Sequence, residues 1–141
     1  MHEPQKLHEA LLYEKLAGKV VHCSLCARYC VIPEGKFGFC LVRKNVGGKL
    51  FALSYGKSAG LAVDPIEKKP FYHFKPGTSV LSFGTPGCNF RCLNCQNWDL
   101  SQGLRGGKGS LESLQFTSPS QIARAAVESG ADGIAYTYSE P

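Results

Sequence analysis

The sequence has no apolar run as long as a membrane-spanning helix, which needs about 20 such residues. Residues 1–6 lack the basic-then-apolar order of a signal peptide. The sequence also lacks an arginine-rich helix and the alternation of basic and aromatic residues that is typical of nucleic-acid-binding proteins. We therefore expect a cytoplasmic protein with neither a membrane nor a nucleic acid as a partner.

Composition and net charge limit the size of the core and the kinds of partner to expect. The 141 residues are 43% hydrophobic and 19% charged, which is enough for one globular domain with a modest core. The net charge of +5 counts every cysteine as neutral. Metal-bound thiolates would cancel much of this positive charge, so it does not indicate a polyanionic partner.

The number of cysteines is odd. Seven cysteines cannot all pair in disulfides within one chain. In a reducing compartment, clustered cysteines are more often metal ligands than disulfides. We therefore interpret both cysteine groups of this sequence as candidate metal sites.

Hydrophobic periodicity predicts the elements of the first half of the chain. Leucines at helical spacing in LHEALLYEKLA (7–17) predict a short amphipathic helix that ends near Gly18. Residues 20–45 are loop-rich, and 49–63 show strand-like alternation interrupted by glycines. We divide this half into an N-terminal helix and Cys-rich metal-binding segment over residues 1–48, and a strand-like connector over 49–77.

The second half predicts a βαβ unit over residues 78–141. SVLSFG (79–84) is typical of a buried strand, and GIAYTY (133–138) of a second one. Between them, Ser118 can cap a helix, Pro119 occupies its first position and Gln121 completes a capping box. The order strand, helix, strand predicts a parallel pair in an α/β fold.

A cysteine group follows the first of these strands directly. Cys88, Cys92 and Cys95 have the spacing Cys-x3-Cys-x2-Cys. A [4Fe–4S] cluster normally takes four thiolates, so three would leave one iron open to a non-protein ligand. In radical S-adenosylmethionine (SAM) enzymes, SAM occupies that iron. The alternatives are an open zinc site or cysteines of a structural core.

A second cysteine group lies nearer the N-terminus. Its four members have the spacing Cys-x2-Cys-x3-Cys-x9-Cys and are Cys23, Cys26, Cys30 and Cys40. Four thiolates form a closed site for either a structural zinc or a second [4Fe–4S] cluster, and the spacing does not separate the two. A disulfide pair is the further alternative.

Three stretches carry a resemblance to a known family: DPIEKKPFYHFKPG (64–77), GTPGCNFRCLNCQNWDLSQ (84–102) and AYTYSEP (135–141). They resemble the AmmeMemoRadiSam system radical SAM enzymes, relatives of pyruvate formate-lyase activating enzymes. The resemblance implies the start of a partial (β/α) radical SAM barrel, preceded by a small Cys-rich metal-binding segment. It also implies an oxidoreductase that generates a 5′-deoxyadenosyl radical for hydrogen abstraction.

The resemblance further implies partners and cofactor contacts. A reductant such as flavodoxin or ferredoxin would supply the electron, and the substrate could be a protein or a small molecule. The residue before the third cysteine is commonly aromatic in this superfamily; here it is Asn94, whose amide could hydrogen-bond adenine. Related enzymes use a Gly-Gly-Glu motif to hold the SAM amino group, and Ser139 and Glu140 stand in that place.

Two further expectations follow. The alternative class is a non-catalytic iron–sulfur or zinc-ribbon module for electron transfer or binding. An electron carrier needs four ligands per cluster, whereas the central group offers three, so this comparison favours the enzyme. Residues 78–141 supply only the first βαβ unit of a barrel. We therefore expect the 141-residue chain alone to be inactive.

Overall fold

A computed structural model describes residues 7–105, 107 and 110–138. The fold is mixed α/β and contains three sheets, with strand orders β1-β2-β3, β4-β5 and β6-β7-β8. The first sheet consists of β1 (Tyr13–Lys15), β2 (Val21–Cys23) and β3 (Val31–Ile32), all antiparallel. The second is the antiparallel hairpin of β4 (Arg43–Val46) and β5 (Lys49–Ala52).

The predicted N-terminal helix over residues 7–17 is wrong. This segment runs alongside β5, where the Ala10 N–H donates to the Leu50 carbonyl and the Ala52 N–H donates to the His8 carbonyl, both at 2.8 Å. It then forms β1. The leucines that suggested a helix are not a buried face, since Leu11 is 90% exposed. Long-range backbone pairing therefore overrides the local helical pattern.

The N-terminal region, residues 7–52, has its own hydrophobic core. Val21, Ile32 and Leu50 are almost completely buried there, together with Cys23. Asn45 is also fully buried, and its side-chain amide donates to the carbonyls of Lys19 (2.7 Å) and Ile32 (2.8 Å). These bonds satisfy the buried amide and join the hairpin to the first sheet.

The third sheet contains the predicted βαβ unit. Its strands are β6 (Ala59–Pro65), β7 (Ser79–Gly84) and β8 (Gly133–Tyr136). β6 pairs with β7 antiparallel, whereas β7 pairs with β8 parallel. The connection from β7 to β8 contains α1 (Trp98–Gln102) and α2 (Pro119–Glu128). The parallel pair predicted from the sequence is confirmed.

Local signals account for the accuracy of the β7 and α2 boundaries, whereas β8 ends at Tyr136, two residues before its predicted end. β7 covers the predicted residues, and both hydrogen bonds of the capping box between Ser118 and Gln121 are present at the start of α2. α2 packs on β7 through Leu81, Phe83, Ile122 and Ala126. Within the described part of the chain, no helix is long and apolar enough to cross a membrane.

Candidate metal centres

The three-cysteine loop, residues 85–97, joins the carboxyl end of β7 to α1. In parallel α/β sheets, ligands bind at the carboxyl ends of the strands. Gly87 fixes the path of the loop at a φ of +85°, and its N–H donates to the Leu100 carbonyl at 3.0 Å. Along this path Cys88 is buried, Cys95 is half-buried and Cys92 is exposed.

Two of the loop's thiols already have polar neighbours. The Phe90 N–H donates to Cys88 Sγ at 3.4 Å, and Cys95 Sγ lies 3.2 Å from Ser101 Oγ. Ser101 is buried in α1, so it holds this contact from a rigid position. Both contacts restrict where the sulfur atoms can lie.

The thiols are not drawn together into a finished coordination shell. Across residues 7–105, 107 and 110–138, no group of three or more His, Cys, Asp and Glu side chains is arranged to hold a metal ion. The fit to a cluster therefore rests on the donor chemistry: three thiols on one short loop match three irons of a cubane. Cys88, Cys92 and Cys95 would hold it.

The four N-terminal cysteines line one small cavity of about 10 Å³. Cys23 lies on β2 and Cys30 just before β3, and the Cys23 N–H donates to the Cys30 carbonyl at 2.9 Å. The Phe39 N–H approaches Cys30 Sγ at 3.5 Å, which brings the neighbouring Cys40 to the same place. Cys26 completes the set.

Without a bound cation, the surroundings of this cavity disfavour the thiolate form of Cys23. Burial raises the pKa of the Cys23 thiol, and the neighbouring Cys30 and Cys40 raise it further. Four thiols on one cavity match the ligand set of a structural zinc or of a closed cluster. The four thiols suit a single zinc ion and a cubane alike.

Sequence analysis missed the contact between the two cysteine groups. The Phe39 ring carries the guanidinium groups of Arg28, Arg91 and Arg105 at 4.0, 4.4 and 4.5 Å from its centroid. We call these four residues the three-arginine junction. Its only local signal is that Phe39 directly precedes Cys40 and Arg91 directly precedes Cys92. Arg105 lies too far along the chain for spacing to reveal it.

The end of β8 approaches the start of the three-cysteine loop. A Cβ added at Gly84 would lie 2.8 Å from Tyr138 Cβ, so only glycine permits this crossing. The Tyr138 hydroxyl accepts from Lys69 Nζ at 3.1 Å, and Lys69 also pairs with the buried Asp64 at 2.9 Å. This network anchors the chain just before the predicted SAM contacts, Ser139 and Glu140, which lie outside the described residues.

An open cavity of about 800 Å³ lies beside this network. Its lining includes Gln96 and Asn97, which follow Cys95, together with Lys69 and Tyr138. This volume is within the usual range for small-molecule sites, about 300–1,000 Å³. Asn94, the predicted adenine contact, is exposed on the same loop.

No family model matches the chain, and no solved structure matches it. An uncharacterized protein of Methanocaldococcus jannaschii is 47% identical over 135 residues, which is 96% of this chain. The chain spans 39% of that relative's length, so the activity of a whole protein of this kind is a matter for proposal.

Proposed function

We propose that this chain is the cluster-binding part of a radical SAM enzyme, an oxidoreductase related to pyruvate formate-lyase activating enzymes. The observation that supports it most is positional: the three-cysteine loop follows the first strand of a parallel βαβ unit. The large cavity begins where that loop ends, at Gln96 and Asn97. A cytoplasmic location, where a flavodoxin or ferredoxin could donate the electron, is part of the same proposal.

Each group of this chain has a defined task in the proposal. Cys88, Cys92 and Cys95 would hold one [4Fe–4S] cluster. With SAM bound beside it and one electron from the reductant, the cluster would supply a 5′-deoxyadenosyl radical for hydrogen abstraction from a protein or small-molecule substrate. Asn94 would hydrogen-bond the adenine. Ser139 and Glu140 would accept from the SAM ammonium, with Lys69 anchoring the adjacent Tyr138.

Spectroscopy of the anaerobically reconstituted chain tests the central site. We expect the electron paramagnetic resonance signal of the reduced cluster to change when SAM is added. Cys92→Ala should abolish the SAM-responsive signal because it removes one of three ligands. Leu93→Ala is the matched control, since Leu93 lies on the same loop and is 97% exposed. A parent signal that SAM leaves unaltered contradicts the proposal.

We also propose that Cys23, Cys26, Cys30 and Cys40 bind a separate metal. The metal would be either a structural zinc or a second iron–sulfur cluster, because four thiolates suit both. Metal analysis of Cys26→Ser should show the loss of this metal, because three remaining thiolates bind far more weakly than four. Ser24→Ala, an exposed change in the same segment, should keep the metal. Equal metal content in Cys26→Ser and the parent would refute the assignment.

A further inference from the structure

Immediate neighbours of the cysteines join the two candidate metal sites. Phe39 directly precedes Cys40, and Arg91 directly precedes Cys92. The Arg91 guanidinium stacks on the Phe39 ring at 4.4 Å, so a neighbour of the middle loop cysteine is held against a neighbour of the last N-terminal one. Arg28, which lies inside the four-cysteine segment, covers the same ring at 4.0 Å.

Hydrogen bonds near Cys88, a second candidate ligand, reinforce the contact between the two cysteine groups. Arg28 Nε donates to the carbonyl of Asn89 at 2.9 Å, and Asn89 directly follows Cys88. Arg105 bridges the two sides, because one of its terminal nitrogens donates to the carbonyl of Phe39 and to that of Cys88. The backbone at Cys88 is therefore tied to the four-cysteine segment from two directions.

Close packing makes the join rigid. A Cβ added at Gly87 would lie 2.7 Å from the Cys40 carbonyl oxygen and 2.7 Å from Val42 Cγ1. The residue before the first loop cysteine thus contacts the last cysteine of the other group, with no space for a side chain. A displaced Cys40 carbonyl would therefore press on the residue that directly precedes Cys88.

The charges at the junction also favour metal-bound thiolates on both sides of it. Three guanidinium groups around one ring repel one another. Burial lowers the pKa of the Arg105 guanidinium, and the charges of Arg91 and Arg28 lower it further. Thiolates bound to metal on both sides would place negative charge next to these cations and favour the arrangement.

We infer that Phe39, Arg28 and Arg105 are positioning residues that make the three-cysteine loop depend on the metal of the four-cysteine segment. With that metal bound, Cys40 is fixed, and the junction holds Cys88 and Cys92 where they can bind one cluster. This inference rests on the proposed function. It assigns to the N-terminal metal the task of organising the cluster site.

Two variants test the inference in the anaerobically reconstituted chain. Phe39→Leu removes the ring shared by the three arginines. Its matched control is Phe37→Leu, because Phe37 has a comparable cation contact at 5.1 Å with Lys44 of β4, which is not part of the junction. Arg105→Gln removes the bonds to the two carbonyls and leaves the ring in place.

The readouts separate positioning from folding. Phe39→Leu and Arg105→Gln should keep the N-terminal metal but bind the SAM-responsive cluster about tenfold to a hundredfold more weakly in a chelator titration, as changes behind metal ligands typically do. Amide hydrogen exchange of residues 85–97 should become faster in both variants, and Phe37→Leu should match the parent. If Phe39→Leu does not fold, Arg105→Gln decides.

Two other results would separate a failure of this inference from a failure of the proposed function on which it rests. Parent-like cluster affinity and parent-like exchange in both variants would show that the junction does not position the loop. A parent without a SAM-responsive signal, but with loop exchange that slows when the N-terminal metal is added, would contradict the proposed function and leave the coupling intact.

Discussion

Asp64 is a buried carboxylate that two lysines contact. It accepts from Lys68 Nζ at 2.7 Å and from Lys69 Nζ at 2.9 Å, while its side chain is only 8% exposed. These hydrogen bonds hold the pKa of the Asp64 carboxyl well below its usual range. Through Lys69, the same carboxylate supports the position of Tyr138 at the end of β8.

The pH dependence of stability follows from this lowered pKa. A carboxyl with a depressed folded-state pKa stabilises the fold fully above its unfolded pKa of about 3.9 and loses that contribution as the pH falls further. We expect the free energy of unfolding to fall below about pH 4, with a shallower fall in Asp64→Asn. Urea unfolding across this pH range measures both. Glu128→Gln, at an exposed position of α2, should behave like the parent.

At the level of elements, α2 is the best-defined part of the connection between β7 and β8. Gln121 N donates to Ser118 Oγ at 3.2 Å, and Ser118 N donates to the Gln121 side-chain oxygen at 2.7 Å. Pro119 at the first helical position costs no hydrogen bond. The helix is therefore fixed at its start by a local sequence signal.

Removing the cap should have a measurable cost. Ser118→Ala leaves the backbone N–H of Gln121 without its partner, and we expect a loss of about 1 kcal/mol in the free energy of unfolding. Arg124→Ala, at an exposed position within the helix, should change it by less than about 0.5 kcal/mol. Urea denaturation of both variants and the parent makes the comparison. Equal losses would mean that the capping box is not important for α2.

The elements that could be predicted are those that local chemistry specifies. β7 and α2 carry their own signals in buried apolar residues, a cap and a helix-starting proline. The helix expected over residues 7–17 is wrong because pairing with the distant β5 determines that segment, and no local pattern contains this information.

The candidate sites also contain features that the sequence predicts and features that it does not. Cysteine spacing is a local signal, so both groups of thiols could be predicted, and the structure brings the four N-terminal ones to a common cavity. The three-arginine junction could not be predicted, because the contact between Arg105 and Phe39 joins residues 66 positions apart. Tertiary packing alone creates it.

For the whole molecule, Gly87 is the point at which the N-terminal region and the three-cysteine loop interlock. Alanine there must adopt a φ near +85° and place its Cβ against the Cys40 carbonyl. We expect Gly87→Ala to lower the free energy of unfolding by about 3 kcal/mol, of which strain in the left-handed region supplies roughly 1–2 kcal/mol.

A second glycine separates the cost of backbone strain from the cost of a steric clash. Gly77 has a similar φ of +79°, but nothing lies within 4 Å of its added Cβ. Gly77→Ala should therefore show only the strain, roughly 1–2 kcal/mol. Chemical denaturation of the two variants side by side gives the difference. If both lose the same amount, the interlock at Gly87 contributes nothing to stability.

The pairing of residues 8–10 with 50–52 also has a consequence for synthesis on the ribosome. All partners of the first two sheets lie before residue 53, so this region can close before the three-cysteine loop has been translated. Domains generally fold in the order in which they leave the ribosome. The N-terminal metal proposed above would then bind first, and the loop would emerge onto a surface that is already shaped to receive it.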